Sequence, residues 1–421
     1  MIRIPKEVEK AMKSLENAGF ECYAAGECVR DAVVNLKPLD WDVVTDASID
    51  DLTSIFPEGR VINRRLGVIR LEFGDIEDDG IILDISHYRN GQTQVITLNE
   101  DLEGRVFTCN AIGESLSRTP VDPFGGRRDI REKSIRTIGI VDKVFEESPE
   151  TMLEMVRIAG EMGFKIPKDA FDAIRKCGHL LLEKNHIRVQ KELLLLADSY
   201  NVTECYKILR DTGLMNVIMG KPIDKKLALR EKSELDMLLR NLTKSEEDAE
   251  VRLALLYLCF DSARTRDAIR KLDFQGNLGE RFVTLHEEIN TSYTVNDKLK
   301  MKSFINRVGM ENYIFIQKVA VAKKTVFNER FDAAARREVI MRQIKNGGEV
   351  ITRDDIPLDE AKLMDLGIVT SIREGEELIA RMVDASIKEN FSKESDFEAL
   401  ARNLAENKRK FPYKGIKWIR K

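Results

Sequence analysis

The sequence predicts an α+β multidomain fold, with a head built on one sheet followed by a long all-helical remainder. Three observations carry this. Short runs rich in β-branched and aromatic residues, bounded by Gly, Pro, Asp or Asn, occur only before Lys143. Beyond it, apolar residues recur at i, i+3, i+4 and i+7. The chain has 421 residues, enough for two to four domains at roughly 150 residues each, and 43% are hydrophobic, which excludes wholesale disorder.

In chain order, MIRIPKEVEKAMKSLENAGF reads as an amphipathic helix over 5–18. A strand at Tyr23–Ala25 leads into a helix over 28–35, then a strand at Trp41–Val44 and a helix over 49–55. Val68–Phe73, Ile81–Ile85 and Val95–Leu98 read as further strands and 108–117 as a helix. The Gly125-Gly126-Arg127-Arg128 turn suits a hairpin or the approach to a helix better than a phosphate cradle. After Lys143, MLEMVRIAGEMGF, DAFDAIRKCGHLLLE, VQKELLLLADS and AEVRLALLYLCF keep helical periodicity, with Met152 and Met155 on a core face. The clearest breaks are NGGEV at 346–350 and DLGIVTSIREG at 365–375, and no fixed-period repeat occurs.

Several function classes are disfavoured. The longest apolar runs, such as Leu253–Phe260, fall well short of the ~18–20 residues of a membrane helix. The N-terminus lacks the apolar stretch of a secretory leader, so no membrane partner is expected. Cysteines 22, 28, 109, 177, 205 and 259 form no CxxC pair, which argues against structural zinc and suits a reducing, cytoplasmic location. Histidines 87, 179, 186 and 286 form no HxxxH or HD pair, so a histidine metal centre is disfavoured.

The chemistry concentrates in AGECVRDAVVNLKPLDWDVVT, residues 25–45. A strand runs into Gly26, whose lack of a side chain lets backbone N–H groups approach a phosphate chain ahead of a helix N-terminus. Asp40 and Asp42 flank Trp41 at strand spacing, so both carboxylates share one face while Trp41 faces the core. Two such acids repel unless a cation lies between them, and hard oxygen ligands favour Mg²⁺. Asp84, on a later strand, could complete a two-metal clamp for attack at phosphorus. The residues alone leave two readings open, phosphoryl or nucleotidyl transfer and solvated strand-end acids.

This segment resembles the Gly-Gly-x-Val-Arg-Asp…Asp-x-Asp motif of class II tRNA nucleotidyltransferases, the CCA-adding enzymes and bacterial poly(A) polymerases. LDISHYR, DLEGRVFTCNA, VDPFGGRRDIREKSIRTIG, FEESPETMLEMVRIAGEMGF and DLGIVTSIREGEELI resemble the family's later motifs in order and spacing, from residue 1 to about 405. The resemblance implies a polymerase-β-type head with a small mixed sheet over 1–143, a helical neck over 144–215, a helical body over 216–335 and a helical tail over 336–421. It implies addition of C and/or A from CTP or ATP to the tRNA 3′ end, with Mg²⁺ and release of pyrophosphate, and contact with the 3′ end and acceptor arm. Asp40, Asp42 and Asp84 would be the catalytic, metal-holding acids, and Gly26, Arg30, Arg105 and Arg157 would meet the nucleotide.

The chain departs from the family's pattern at functional positions. Glu27 replaces the second motif glycine, and Gly104 and Val106 replace a basic and an acidic residue around Arg105. On the neck helix the family's base-reading Asp and Arg are Ser148 and Thr151, and a further arginine is Glu154. Ser and Thr are too short to span that distance or present a guanidinium fork. The loop after Arg89 is only NGQTQ, a shortening associated in the family with CC-adding enzymes. The retained acids favour a working enzyme, with family or altered nucleotide choice. The substitutions favour altered choice, an inactive RNA-binding relative or a bare scaffold.

Net charge is −4, which alone speaks against a nucleic-acid partner. Its distribution does not. KRKFPYKGIKWIRK, residues 408–421, carries +7 and leaves −11 on the rest, so RNA contact is expected to be local.

Overall fold

A computed structural model describes residues 2–38, 40–75, 80–117, 120–244, 248–274, 277–328, 334–393 and 396–407. The basic segment 408–421 lies outside the described residues. The chain divides into two compact units, one running to Leu227 and including Arg270–Asp273, the other comprising Ala228–Ile269 and the residues from Phe274 onward.

The first unit opens with α1 (Lys6–Asn17), which buries Val8, Ala11, Met12 and Leu15 along one face. A seven-stranded mixed sheet follows, built from β1 (Cys22–Ala25), β2 (Asp40–Thr45), β3 (Arg60–Asn63), β4 (Val68–Phe73), β5 (Ile81–His87), β8 (Gly113–Glu114) and β9 (Pro120–Val121), in the order β3-β4-β5-β2-β1-β8-β9. Only β2 and β5 run parallel, with Asp42 opposite Asp84. The other pairs are antiparallel, and β4 sets Arg70 opposite Asp84. The short loop after Arg89 is a separate hairpin of β6 (Arg89–Asn90) and β7 (Thr93–Gln94). Head helices are α2 (Glu27–Val33), α3 (Ile49–Ile55), α4 (Leu98–Glu103) and α5 (Gly126–Arg131).

Two head expectations are corrected. Val95–Leu98 is not a strand, because Thr97 and Glu100 form a reciprocal capping box that starts α4 at Leu98. Residues 108–117 are not a helix. Thr108–Asn110 makes a single 3₁₀ turn, and Gly113–Glu114 then pairs with β1, so sheet hydrogen bonds replace helical ones. The Gly125–Arg128 turn is a helix approach. Asp122 accepts from the N–H groups of Gly126 (2.7 Å) and Arg127 (3.0 Å), so the start of α5 is already filled by a carboxylate.

Helices then continue through α6 (Val141–Glu147), α7 (Thr151–Met162), α8 (Lys168–Cys177), α9 (His186–Asp198), α10 (Val202–Asp211) and α11 (Leu214–Ile218). Helix α7 is buried on most sides, with Met152, Leu153, Met155, Val156, Ile158 and Ala159 fully enclosed.

The second unit holds α12 (Leu229–Asn241), α13 (Ala249–Leu258), most of α14 (Ser262–Lys271), α15 (Asn277–Ser292), α16 (Lys298–Val308), α17 (Met310–Phe327), α18 (Ala334–Asn346), α19 (Glu360–Asp365), α20 (Ile372–Glu389) and α21 (Phe397–Glu406). Among the described residues no strand follows Val121. Lys302 is fully buried there and donates to Glu349 (2.9 Å) and Asn390 (2.8 Å), which meets the requirement that a buried charge be paired. Among the described residues no helix is long and apolar enough to cross a membrane.

Candidate active site

Gly26 ends β1 and caps α2 with φ +97° and ψ −146°, a conformation essentially restricted to glycine. A side chain there would also collide with the guanidinium of Arg105 and come within 3.5 Å of Asp42 Oδ2. The glycine thus makes room for an arginine to lie against the backbone beside an acid.

The two acids of β2 share one face. Asp40 is exposed, Asp42 is partly buried, and Trp41 between them is 3% exposed on the opposite face. Among the described residues neither carboxylate accepts a hydrogen bond from a neighbour. Burial pushes Asp42 up to about 6, helped by Asp40, Asp84 and Glu27 and opposed by Arg105. Asp40 is raised by burial and by Glu27 and Asp84.

Asp84 joins the same row across β5 but is engaged differently. Arg70 on β4 donates Nε to Oδ1 (2.7 Å) and Nη2 to Oδ2 (2.8 Å), a bidentate fork that uses both oxygens. Among the described residues no group of three or more His, Cys, Asp or Glu side chains is arranged to hold a metal. Asp84, expected as a third ligand, lies opposite Asp42 with both of its oxygens held by Arg70. Asp40 and Asp42 do fit a hard divalent cation, being two oxygen donors on one face, each raised first by burial and then by neighbouring carboxylates.

Arg105 is fixed from below. Asp101, 2% exposed, accepts from its Nε (3.2 Å) and Nη2 (3.1 Å) and also from the backbone N–H of Arg89 (2.9 Å). A Cβ at Gly104 would lie 2.7 Å from Asn90 Cα, so the backbone of the β6–β7 hairpin passes close against this turn.

Arg30 and Arg157 are engaged by acids of their own. Arg30 is 3% exposed and donates to Asp31 (2.8 Å) and Asn110 (3.1 Å), with Glu27 at 3.5 Å. Arg157 reaches Glu192 (3.4 Å), Glu161 (3.5 Å) and Glu27 (4.0 Å). Glu27 therefore links two arginines from α2 and α7. Glu154, one turn before Arg157, has no hydrogen-bond partner among the described residues. It is pushed up to about 7 by burial, Glu192 and Glu27, against the pull of Arg157 and Arg30. Thr151 is 2% exposed, and Ser148 caps the C-terminus of α6.

Arg70, Asp101, Glu161 and Glu192 were missed by sequence reasoning. The i, i+4 spacing of Asp101 and Arg105 was the available signal for one of them. The Arg70–Asp84 pair depends on strand register, which one sequence does not carry.

Cysteine chemistry is not on offer in the head. Cys22, Cys28 and Cys109 are buried, and burial pushes each up to about 12.

Comparison with known proteins places this geometry. Residues 22–136 match the poly(A) polymerase head domain, and residues 163–224 match a domain described as the probable RNA and SrmB-binding site of polymerase A. The head is of the poly(A) polymerase type. It is 32% identical over 221 residues to the CC-adding tRNA nucleotidyltransferase of Halalkalibacterium halodurans, covering 52% of this chain and 56% of that one. It is 32% identical over 218 residues to the CCA-adding enzyme of Geobacillus stearothermophilus, covering 50% and 53%. The chain thus matches about half the length of these curated relatives. The fold resembles the Bacillus stearothermophilus CCA-adding enzyme crystallised with CTP, at TM-score 0.62 and 20% identity over 96% of this chain and 97% of that one.

Proposed function

We propose that this protein is a class II tRNA nucleotidyltransferase that adds C and/or A, from CTP or ATP, to the tRNA 3′ end and releases pyrophosphate. One observation carries the reading: two carboxylates, Asp40 and Asp42, stand on one strand face beside the glycine turn at Gly26 and the arginine Arg105. Mg²⁺ held by Asp40 and Asp42 would supply charge neutralisation at the reacting phosphate. Gly26 admits Arg105 beside the acids, Asp101 holds that guanidinium ready to pair with triphosphate oxygens, and Arg70 fixes Asp84 at the row's edge. Positioning and charge complementarity supply most of such a rate. Six buried free cysteines support placing the protein in a reducing cytoplasm.

A second reading, altered nucleotide choice, is favoured by the neck. Thr151 is enclosed, Ser148 closes a helix end, and Glu154 brings a carboxyl where the family's arginine would stand. An inactive RNA-binding relative is the remaining alternative. The test is incorporation of labelled CTP, ATP, GTP and UTP into tRNA lacking its 3′ end. Mg²⁺-dependent incorporation that falls at least a thousandfold in Asp40→Ala is the expected result. CTP and ATP alone as substrates separate the first reading from the second. Retained tRNA binding with no incorporation of any nucleotide overturns both.

A further inference from the structure

The sequence holds two Asn-Gly pairs, Asn90-Gly91 and Asn346-Gly347. Such a pair is open to reaction of the chain with itself. The glycine nitrogen can reach the asparagine side-chain carbonyl, and glycine has no side chain to obstruct the approach. What decides the outcome is how firmly the two groups are held, and here the two pairs differ.

Asn346 ends α18, and the Gly347 N–H donates to the Gln343 carbonyl at 3.0 Å. That nitrogen is fixed in the last helical turn. Asn90 and Gly91 are exposed at the tip of the β6–β7 hairpin. Gly91, at φ +59°, opens the two-residue turn Gly91-Gln92, and a Cβ there would meet nothing within 4 Å. Arg65 ties down the other turn residue, Gln92, at 2.9 Å. Among the described residues neither the Asn90 side-chain amide nor the Gly91 N–H has a hydrogen-bond partner. The strands flanking the turn are two residues each and form a sheet of their own, a ribbon that opens at little cost.

We propose that Asn90 is a self-modification site, where the Gly91 nitrogen converts the Asn90 amide into a carboxylate. The nitrogen gives up its proton and attacks Asn90 Cγ. A C–N bond forms, a cyclic imide closes, and the side-chain nitrogen leaves as ammonia. Water then opens the ring. Breaking the new bond leaves aspartate. Breaking the original peptide bond leaves isoaspartate, with the chain rerouted through the former side chain. In sum, amide and water become acid and ammonia, and nothing is oxidised or reduced.

The new carboxylate bears on Arg105. Asn90 Cγ and Oδ1 would each lie 2.8 Å from a Cβ on Gly104, the residue before Arg105. The Arg89 N–H is held (2.9 Å) by the same Asp101 carboxylate that holds Arg105. Conversion therefore sets an anion against this turn, or lengthens the chain beside it, and weakens the hold of Arg105 on a triphosphate. That consequence rests on the triphosphate reading above, whereas the covalent step does not.

The test ages the intact chain in mildly alkaline heavy-oxygen water and reads its peptides by mass spectrometry. The expected result is uptake of heavy oxygen at Asn90 roughly tenfold or more faster than at Asn346, with the two rates converging once urea unfolds the chain. Asn90→Gln removes the uptake. No uptake at Asn90, or equal rates at the two pairs in the folded protein, overturns the site. Asn90→Asp isolates the effect of charge, and ATP binding by calorimetry is expected to weaken about threefold. An unchanged Kd overturns the link to Arg105. The mass readout needs no nucleotide, so a parent chain that failed to bind ATP would count against the triphosphate reading alone.

Discussion

Glu154 is the residue whose environment is least like an ordinary carboxylate. It faces Glu192 from α9 and Glu27 from α2, with Arg157 and Arg30 opposing them. In the folded protein it is pushed up to about 7 from the ordinary 4.5. Below pH 4.5 both folded and unfolded chains hold the proton, so burial carries no penalty. Between 4.5 and about 7 the unfolded chain ionises first, and stability falls as pH rises. Glu154→Gln removes that loss. It is expected to match the parent at pH 4 and exceed it at pH 8 by roughly 1–3 kcal/mol, at about 1.4 kcal/mol per pKa unit. Thermal melts of both proteins across that range check it, and parallel curves refute it. Glu27 acts on the same arginines from the solvent side. Glu27→Gly removes one carboxylate from the glycine turn and releases Arg30 and Arg157 from it. Triphosphate binding is expected to tighten about three- to tenfold, by roughly 0.6–1.4 kcal/mol. An unchanged Kd by calorimetry would mean the carboxylate already turns away from the bound anion.

At the level of elements, α4 shows how a local signal can position a site. The Thr97–Glu100 capping box fixes where the helix starts, and this places Asp101 one turn ahead of Arg105. Asp101→Asn keeps an acceptor for the Arg89 N–H but removes the charge that holds the guanidinium. The expected outcome is a KM for nucleotide raised about tenfold with kcat changed much less. Equal loss in both would place Arg105 at the transition state instead. The same helix marks where sequence reading failed. VITL looks like a strand by composition, and only the capping box turns it into a helix start. The alternating pattern of VIRLEF placed β4 to the residue, because burial on one face imposes a period of two. That pattern said nothing about which residue lies opposite Arg70, so the fork on Asp84 was out of reach. Gly26, Asp40 and Asp42 were legible because their spacing is a backbone property. The contact of Arg30 with Asn110 was not, since it joins segments eighty residues apart.

Over the whole molecule, the proposed function raises the question of how a chain of net charge −4 would hold a polyanion. The charge is unevenly placed, with residues 408–421 carrying +7 against −11 on the remainder. Uniform attraction is therefore not available, and contact must come from cations gathered in one stretch. Each phosphate neutralised by a lysine or arginine releases condensed counterions, which adds about 0.7–0.9 to the slope of log K against log salt. Deleting residues 408–421 is expected to weaken tRNA binding and flatten that slope by about 2 or more, the equivalent of at least three lost phosphate contacts. The measurement is a salt series on full-length and truncated protein, read by filter binding or anisotropy. An unchanged slope would assign the phosphate contacts to the folded units. Incorporation assays on the truncated chain then separate binding from chemistry. Deletion raises KM for tRNA and leaves kcat near the parent value, because Asp40, Asp42 and Arg105 are all contributed by the head.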